Sequence, residues 1–259
     1  MPEGDTVFLT CHRLHGALAG RVLSHGDLRH PRLALVELAG RRLTEVRPAG
    51  KHLLMRFDDG HTLHSHLRMD GAWHLYRPGD RWRRPAHQVR AVLAVPERTA
   101  VGFHLHDMHW LPTDQEHRLI GHLGPDLLSP DWGPELEAEA VRRLTADPGR
   151  ELGLALLDQS VMAGLGNLYR TEICFLLRRR PDTPVSEVDP QRVVRLARAL
   201  LVRNAWRPQQ STTGELRPGA QHWVYDRRTC LRCGSRVRHG EQGSGVTARE
   251  TYYCPVCQR

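Results

Sequence analysis

Two cysteine pairs, Cys230-x2-Cys233 and Cys254-x2-Cys257, constrain the folding of this chain more than any other feature. Each pair is a knuckle that turns two thiolates toward one tetrahedral ion. Gly234 and Pro255 suit the tight turns required. The intervening segment, 235–253, is expected to form a hairpin that the metal holds closed. All four ligand positions are cysteine, so no coordination position stays open. The expected ion is one structural Zn2+. The last 30 residues are too small to bury a core of their own. Cys11 and Cys174 fall on apolar helical faces and are expected to be buried thiols.

The chain has 259 residues, 37 of them Lys or Arg against 29 Asp or Glu, for a net charge of +8. That balance favours a polyanionic partner, DNA or RNA before membrane. No apolar run reaches the roughly 18 residues of a membrane span. The start, Met-Pro-Glu-Gly-Asp, lacks the basic and apolar regions of a signal peptide. A cytoplasmic location is expected, where cysteines stay reduced or hold metal.

The length accommodates two modest domains. Asp5 or Thr6 can cap a first helix, in which Val7, Cys11, Leu14 and Leu18 recur at helical spacing before Gly20. From about 21 to 110 the pattern is that of short strands. The runs 53–57 and 61–67 flank Asp58-Asp59-Gly60, a hairpin signal, and 90–95 with 101–105 predicts a second hairpin. This half reads as an antiparallel sandwich or barrel. Beyond the proline-rich turn at 124–130 the signals are helical. Helices are predicted from Pro134 to about Ala146, Leu152 to Gln159, Asn167 to Leu177, and Pro190 to about Asn204.

Three local features point to chemistry. Lys51 is the only lysine among the 37 basic residues. A lysine supplies a compact point charge and a nitrogen that can lose its proton, which arginine does not. Removal of Met1 would expose Pro2 as a secondary amine. Free α-amino groups titrate near 7.7–8.0, roughly, and the positive end of a helix starting at about Thr6 lowers proton affinity further. Such an amine can attack an aldehyde-like carbon to form an iminium, and the neighbouring Glu3 can move protons. Finally, Gly164-Leu165-Gly166 lies between two predicted helices. Its glycines are expected to leave backbone amides uncovered, where a helix start at Asn167 favours phosphate.

Together these residues resemble the formamidopyrimidine-DNA glycosylase and endonuclease VIII family. The likeness runs through Pro2-Glu3-Gly4, Gly50-Lys51, His66-Leu67-Arg68-Met69-Asp70-Gly71, Gly164-Leu165-Gly166-Asn167-Leu168-Tyr169 and Arg249-Glu250-Thr251-Tyr252-Tyr253-Cys254-Pro255-Val256-Cys257-Gln258. It implies an α+β chain in three parts: an N-terminal antiparallel β-sandwich with flanking helices at 1–126, a helix–two-turn–helix module at 127–222, and a four-cysteine zinc finger at 223–259. It implies a monomeric glycosylase and abasic-site lyase of base-excision repair, acting on damaged double-stranded DNA in the bacterial cytoplasm. By this resemblance Pro2 is the Schiff-base nucleophile at the sugar C1′, Glu3 its proton-transfer partner and Lys51 an electrostatic partner near the lesion. Asn167 and Arg249 grip flanking phosphates. Met69 is the wedge that fills the space of the extruded base, with Arg68 assisting.

The start departs from the family's usual Pro-Glu-Gly-Pro-Glu or Pro-Glu-Leu-Pro-Glu, and Asp5 is expected to take the accessory acid–base role of the missing second glutamate. Ser160 stands where relatives often place a lysine. The segment 213–225 is shorter than the usual lesion-capping loop for oxidised purines. The reading therefore favours oxidised pyrimidines and abasic sites. The alternatives are an oxidised-purine glycosylase and a non-catalytic zinc module that binds damaged DNA. His61, His64 and His66 cluster, as do His104, His106 and His109. Alternating histidines on one strand face could bind a metal, but no nearby carboxylate spacing completes a catalytic site, so a basic, solvated DNA-facing strand is the simpler expectation.

Overall fold

The computed structural model describes residues 2–245 and 248–259. These form two compact units, one of Pro2 with Thr6–His122, the other of Glu3–Asp5 with Leu123–Arg259. The first helix, α1 (Gly4–Leu18), contributes to both. Among the described residues, no helix is long and apolar enough to cross a membrane.

The first unit is a β-sandwich in which every pairing is antiparallel. One sheet has five strands, in the order β1 (Arg21–Val22), β3 (Arg42–Ala49), β4 (His52–Phe57), β5 (His61–His66) and β9 (Asp107–Pro112). The other has four, in the order β2 (His25–Leu28), β7 (Val89–Val95), β8 (Arg98–Phe103) and β6 (Ala72–Tyr76). Alternation along the strands sends Leu43, Leu53, Met55 and Leu63 from one sheet, and Ala91, Leu93 and Ala100 from the other, into one core. The apolar stripe of α1 (Val7, Cys11, Leu14, Leu18) closes it. Both hairpins lie where the turn chemistry placed them, although β8 begins at Arg98 rather than 101. A four-residue helix, α2 (His117–Ile120), follows β9; neither element stood out in the sequence.

The charge of Glu116 is answered inside this unit. Glu116, 5% exposed, accepts from Arg56 Nε (2.9 Å) and Nη2 (2.6 Å) and from Thr62 Oγ1 (2.7 Å). Burial alone would raise its carboxyl pKa; the bonds from Arg56 and Thr62 outweigh that and hold it below the ordinary value. Nearby, His52, His64 and His66 gather where β4 pairs with β5. Burial pushes His52 down to about 3 and His64 and His66 down to about 4, so all three imidazoles are neutral at pH 7.

The second unit contains α3 (Pro134–Leu144), α4 (Leu152–Leu157), α5 (Asn167–Leu176), α6 (Pro190–Asn204) and the hairpin β10 (Arg238–Gln242) with β11 (Arg249–Tyr253). Asp189 caps α6, its carboxylate accepting from the amides of Gln191 and Arg192. Leu144, Leu152, Leu156, Ile173, Val193, Ala197 and Leu201 make the helical core, with Cys174 buried beside them. A smaller cluster of Phe175, Val224, Val237 and Tyr252 joins the hairpin to α5.

Replacing Glu116 with Ala leaves Arg56 with Glu45 and Thr62 with Thr113 but removes the buried carboxylate that joins them. A loss of about 2–3 kcal/mol in unfolding free energy is expected at neutral pH. The wild-type advantage depends on an ionised carboxyl with a depressed folded-state pKa. It is therefore full above the ordinary value of 4.5 and disappears as pH falls through the lower folded value. Urea titrations of both proteins across that range check it; a pH-independent difference counts against the ion pair.

Candidate active site

Helix α5 is preceded by a glycine, which has no side chain to cap it. Its N-cap, Gly166, makes no side-chain bond to the exposed amides. The cap comes from the other end of the chain. Glu3, 0% exposed, accepts from the Gly166 amide through Oε2 and from the Leu168 amide through Oε1 at 2.8 Å. A buried carboxylate is costly unless its charge is answered, and here amides and the helix dipole answer it. The Gly4 amide donates to the Gly164 carbonyl at 2.9 Å, which adds a second tie.

The glycines are needed for this approach. A Cβ on Gly166 would stand 2.6 Å from Glu3 Cδ, and one on Gly4 would stand 2.8 Å from Gly164 Cα. Gly164 also has φ +112, a region that other residues rarely adopt. Gln159 braces the turn, accepting from the Gly164 amide at 3.1 Å and donating to the Leu165 carbonyl at 2.9 Å. The expectation of uncovered amides is thus corrected: Glu3 takes those of Gly166 and Leu168, and Gln159 takes that of Gly164. Asp5 is likewise engaged. Its buried carboxylate accepts from Tyr169 Oη at 2.6 Å and from Gln210 Nε2 at 2.8 and 3.0 Å. It anchors the first turn of α1 to α5.

Asn167, the first residue of α5, is 8% exposed. Its Nδ2 donates to the Glu250 carbonyl at 2.9 Å, bringing α5 against the start of β11, where Arg249 is exposed. Its Oδ1 accepts from Arg170, which the sequence reading passed over. Arg170 is 0% exposed and has no carboxylate partner in a salt bridge among the described residues. Its guanidinium also donates to the Glu250 carbonyl (2.6 Å) and to Gln242 Oε1 (2.9 Å). Burial lowers its pKa below the usual arginine value. Gln242 in turn donates to Glu151 (2.7 Å) and to the Pro181 carbonyl (2.8 Å). Glu172, also 0% exposed, accepts from the amides of Trp223, Val224 and Tyr225 and from Thr212. Arg170 and Glu172 are the only charged residues in α5, and both are buried. That contrast was the signal available in the sequence.

In the sandwich unit, Gly50 and Lys51 form the two-residue turn between β3 and β4, bracketed by the Ala49–His52 pair. Gly50 takes φ +57, as the first central position of a II′ turn demands. Lys51 sits at the hairpin tip. Met69 rides a turn closed by the Gly71 amide on the Leu67 carbonyl (2.8 Å) and is 70% exposed, unusual for methionine. Arg68 adopts φ +53 and gives Nε (3.1 Å) and Nη2 (2.6 Å) to one Asp107 oxygen.

The four finger cysteines converge, with all four sulfurs within 4.8 Å of one another. Cys230 and Cys257 Sγ are 4.0 Å apart, and Cys233 and Cys254 Sγ are 3.5 Å apart. Thiolates about 2.3 Å from one tetrahedral ion stand about 3.8 Å apart, so the donor set fits zinc.

Comparison with known proteins agrees with the geometry. The formamidopyrimidine-DNA glycosylase N-terminal domain matches residues 1–109, and the H2TH domain of the same enzymes matches residues 123–213. The "Probable endonuclease 8 2" of Streptomyces coelicolor is 53% identical over 100% of this chain and 94% of its own length. The "DNA-(apurinic or apyrimidinic site) lyase Nei2" of Mycolicibacterium smegmatis is 45% identical over 100% of this chain and 99% of its own. Among solved structures, Lactococcus lactis Fpg with DNA containing an abasic site superimposes with a TM-score of 0.79 at 22% identity, covering 100% of both chains. At that identity the likeness is one of fold. With matches to both domains in order, and full-length relatives well above 30% identity, this chain belongs to the formamidopyrimidine-DNA glycosylase and endonuclease VIII family.

Proposed function

We propose that this chain is a bifunctional DNA glycosylase and abasic-site lyase of base-excision repair, removing oxidised bases with pyrimidines favoured over purines. Its relatives named endonuclease 8 and Nei2 support the branch. One observation carries the reading: the Glu3 carboxylate is buried and locked onto the start of α5, directly after Pro2. A binding module has no use for a fixed carboxylate beside a terminal imino acid.

In the proposed reaction the Pro2 nitrogen, freed by loss of Met1, attacks the deoxyribose C1′. The C1′–base bond breaks and the base leaves with a proton; the nitrogen lone pair then expels O4′, which takes a proton as the sugar ring opens, giving an iminium. The iminium acidifies the C2′ hydrogen. Loss of that proton expels the 3′ phosphate, and a second elimination expels the 5′ phosphate. Glu3 moves the protons; its backbone bonds hold it in one orientation. Lys51, at its hairpin tip, places a point charge on a phosphate near the lesion.

The damaged base must leave the stack, at a cost of a few kcal/mol, roughly. Met69, exposed on its turn, is suited to fill the gap as an apolar wedge. Arg68 exchanges part of its bond to Asp107 for a DNA contact. Asn167 uses one Nδ2 hydrogen on Glu250 and offers the other to a phosphate, and Arg249 grips beside it. Cys230, Cys233, Cys254 and Cys257 hold one Zn2+, which closes the finger and supports the β10–β11 hairpin. The three-part division (1–126, 127–222, 223–259) gives the nucleophile, the α5 start and Arg249 to successive parts. The enzyme works as a monomer on damaged duplex DNA in the bacterial cytoplasm.

Borohydride added to enzyme and abasic duplex should give a covalent adduct that maps to Pro2. Binding without an adduct, from protein with a free terminus, would leave only the damage-binding module. Glu3→Gln should slow release of an oxidised pyrimidine by about 100-fold or more, with DNA affinity nearly retained. Undiminished turnover would remove Glu3 from the reaction, and faster release of an oxidised purine by wild type would reverse the substrate preference. Gly166→Ala pushes a methyl group against Glu3. It should cost about 1–3 kcal/mol in a urea melt and reduce base release alongside; normal activity would show that the carboxylate need not be fixed.

A further inference from the structure

The pairing of β5 with β9 places His64 opposite His109 and His66 opposite Asp107. His64, Asp107 and His109 thereby converge, with one potential ligand atom from each within 4.8 Å of the other two. His64 is 1% exposed, and its Nδ1 is buried with no hydrogen-bond partner among the described residues. An unanswered buried nitrogen costs about 1–3 kcal/mol, so packing alone does not account for it.

Its other nitrogen is answered. His64 Nε2 lies 2.8 Å from His52 Nδ1. When Nε2–H donates to His52, the His64 Nδ1 carries a lone pair, the state a metal requires. Metal-bound imidazoles commonly have their second nitrogen fixed in this way. Asp107 divides its oxygens. Oδ2 is held by Arg68, while Oδ1 lies 3.2 Å from His109 Nε2. Ligand atoms about 2.0–2.2 Å from a tetrahedral ion stand about 3.3–3.6 Å apart, so this pair is already near edge length. Asp107 and His109 also line a surface pocket of ≈ 480 Å³ with His30, Arg32 and Arg68, which gives an ion a route from solvent.

We propose that His64, Asp107 and His109 form a second metal site, distinct from the four cysteines, that takes a divalent transition ion of the zinc class. Two imidazoles and one carboxylate suit such an ion and leave a coordination position open. The ion and Arg68 share the Asp107 carboxylate, so occupancy is coupled to the turn that carries Met69.

The test uses the full chain with its cysteines loaded with zinc, titrated with Co2+. Wild type should bind Co2+ with visible d–d bands and without the thiolate charge-transfer band of a cysteine site. His109→Ala and Asp107→Asn, each confirmed folded by an unchanged circular-dichroism melt, should lose those bands. His52→Phe should weaken Co2+ by about 10–100-fold through loss of the orienting acceptor. No Co2+ uptake by wild type, only thiolate charge-transfer bands, or equal binding by wild type and His109→Ala would each overturn the site.

Discussion

The Glu3 carboxylate on the first amides of α5 is the interaction on which the rest of the proposed site depends. A helix start has unpaired donors and a positive dipole end, and a buried carboxylate needs both. Each resolves the other's cost. The bond also joins residues more than 160 positions apart in sequence, so Glu3 is fixed by the helical unit and not by its own neighbours. Gly4, Gly164 and Gly166 are there because the backbones approach too closely for a Cβ.

A second buried network extends the same logic. Arg170 and Glu172 project from α5 into the protein, where backbone carbonyls and amides of the finger region meet them. Charge-assisted bonds of this kind are stronger than neutral ones and are costly to leave half made. They tie Asn167, Arg249's strand and the 223–225 segment to one helix. The finger itself has only a small apolar cluster, so this network supplies part of what its core lacks.

The elements whose signals are local were legible. Asp189-Pro190 opened α6, Asp58-Asp59-Gly60 turned the β4–β5 hairpin, and the cysteine spacing placed four sulfurs around one point. Where the sequence misled, the missing information was long-range. The Gly166 and Leu168 amides looked open because nothing nearby covers them; Glu3 comes from the far end of the chain. The histidines of β5 lacked a carboxylate in sequence, and strand β9, which did not stand out in the sequence, supplies Asp107 through pairing.

The sequence by itself determined the four converging cysteines, the apolar faces of the helices, the Asp189 cap of α6, the hairpin turns, and the identity of the residues that resemble the family's catalytic set. Those depend on spacing along a few turns of backbone. The first helix starts at Gly4, so Asp5 and Thr6 lie inside it and do not cap it. Only the tertiary structure decided that Glu3 caps α5, that Asp5 is an anchor bound to Tyr169 and Gln210, that Arg68 is paired with Asp107, and that Arg170 lies fully buried. The physical reason is that a charge takes its role from the partner that answers it, and in each of these cases the partner lies on a distant segment.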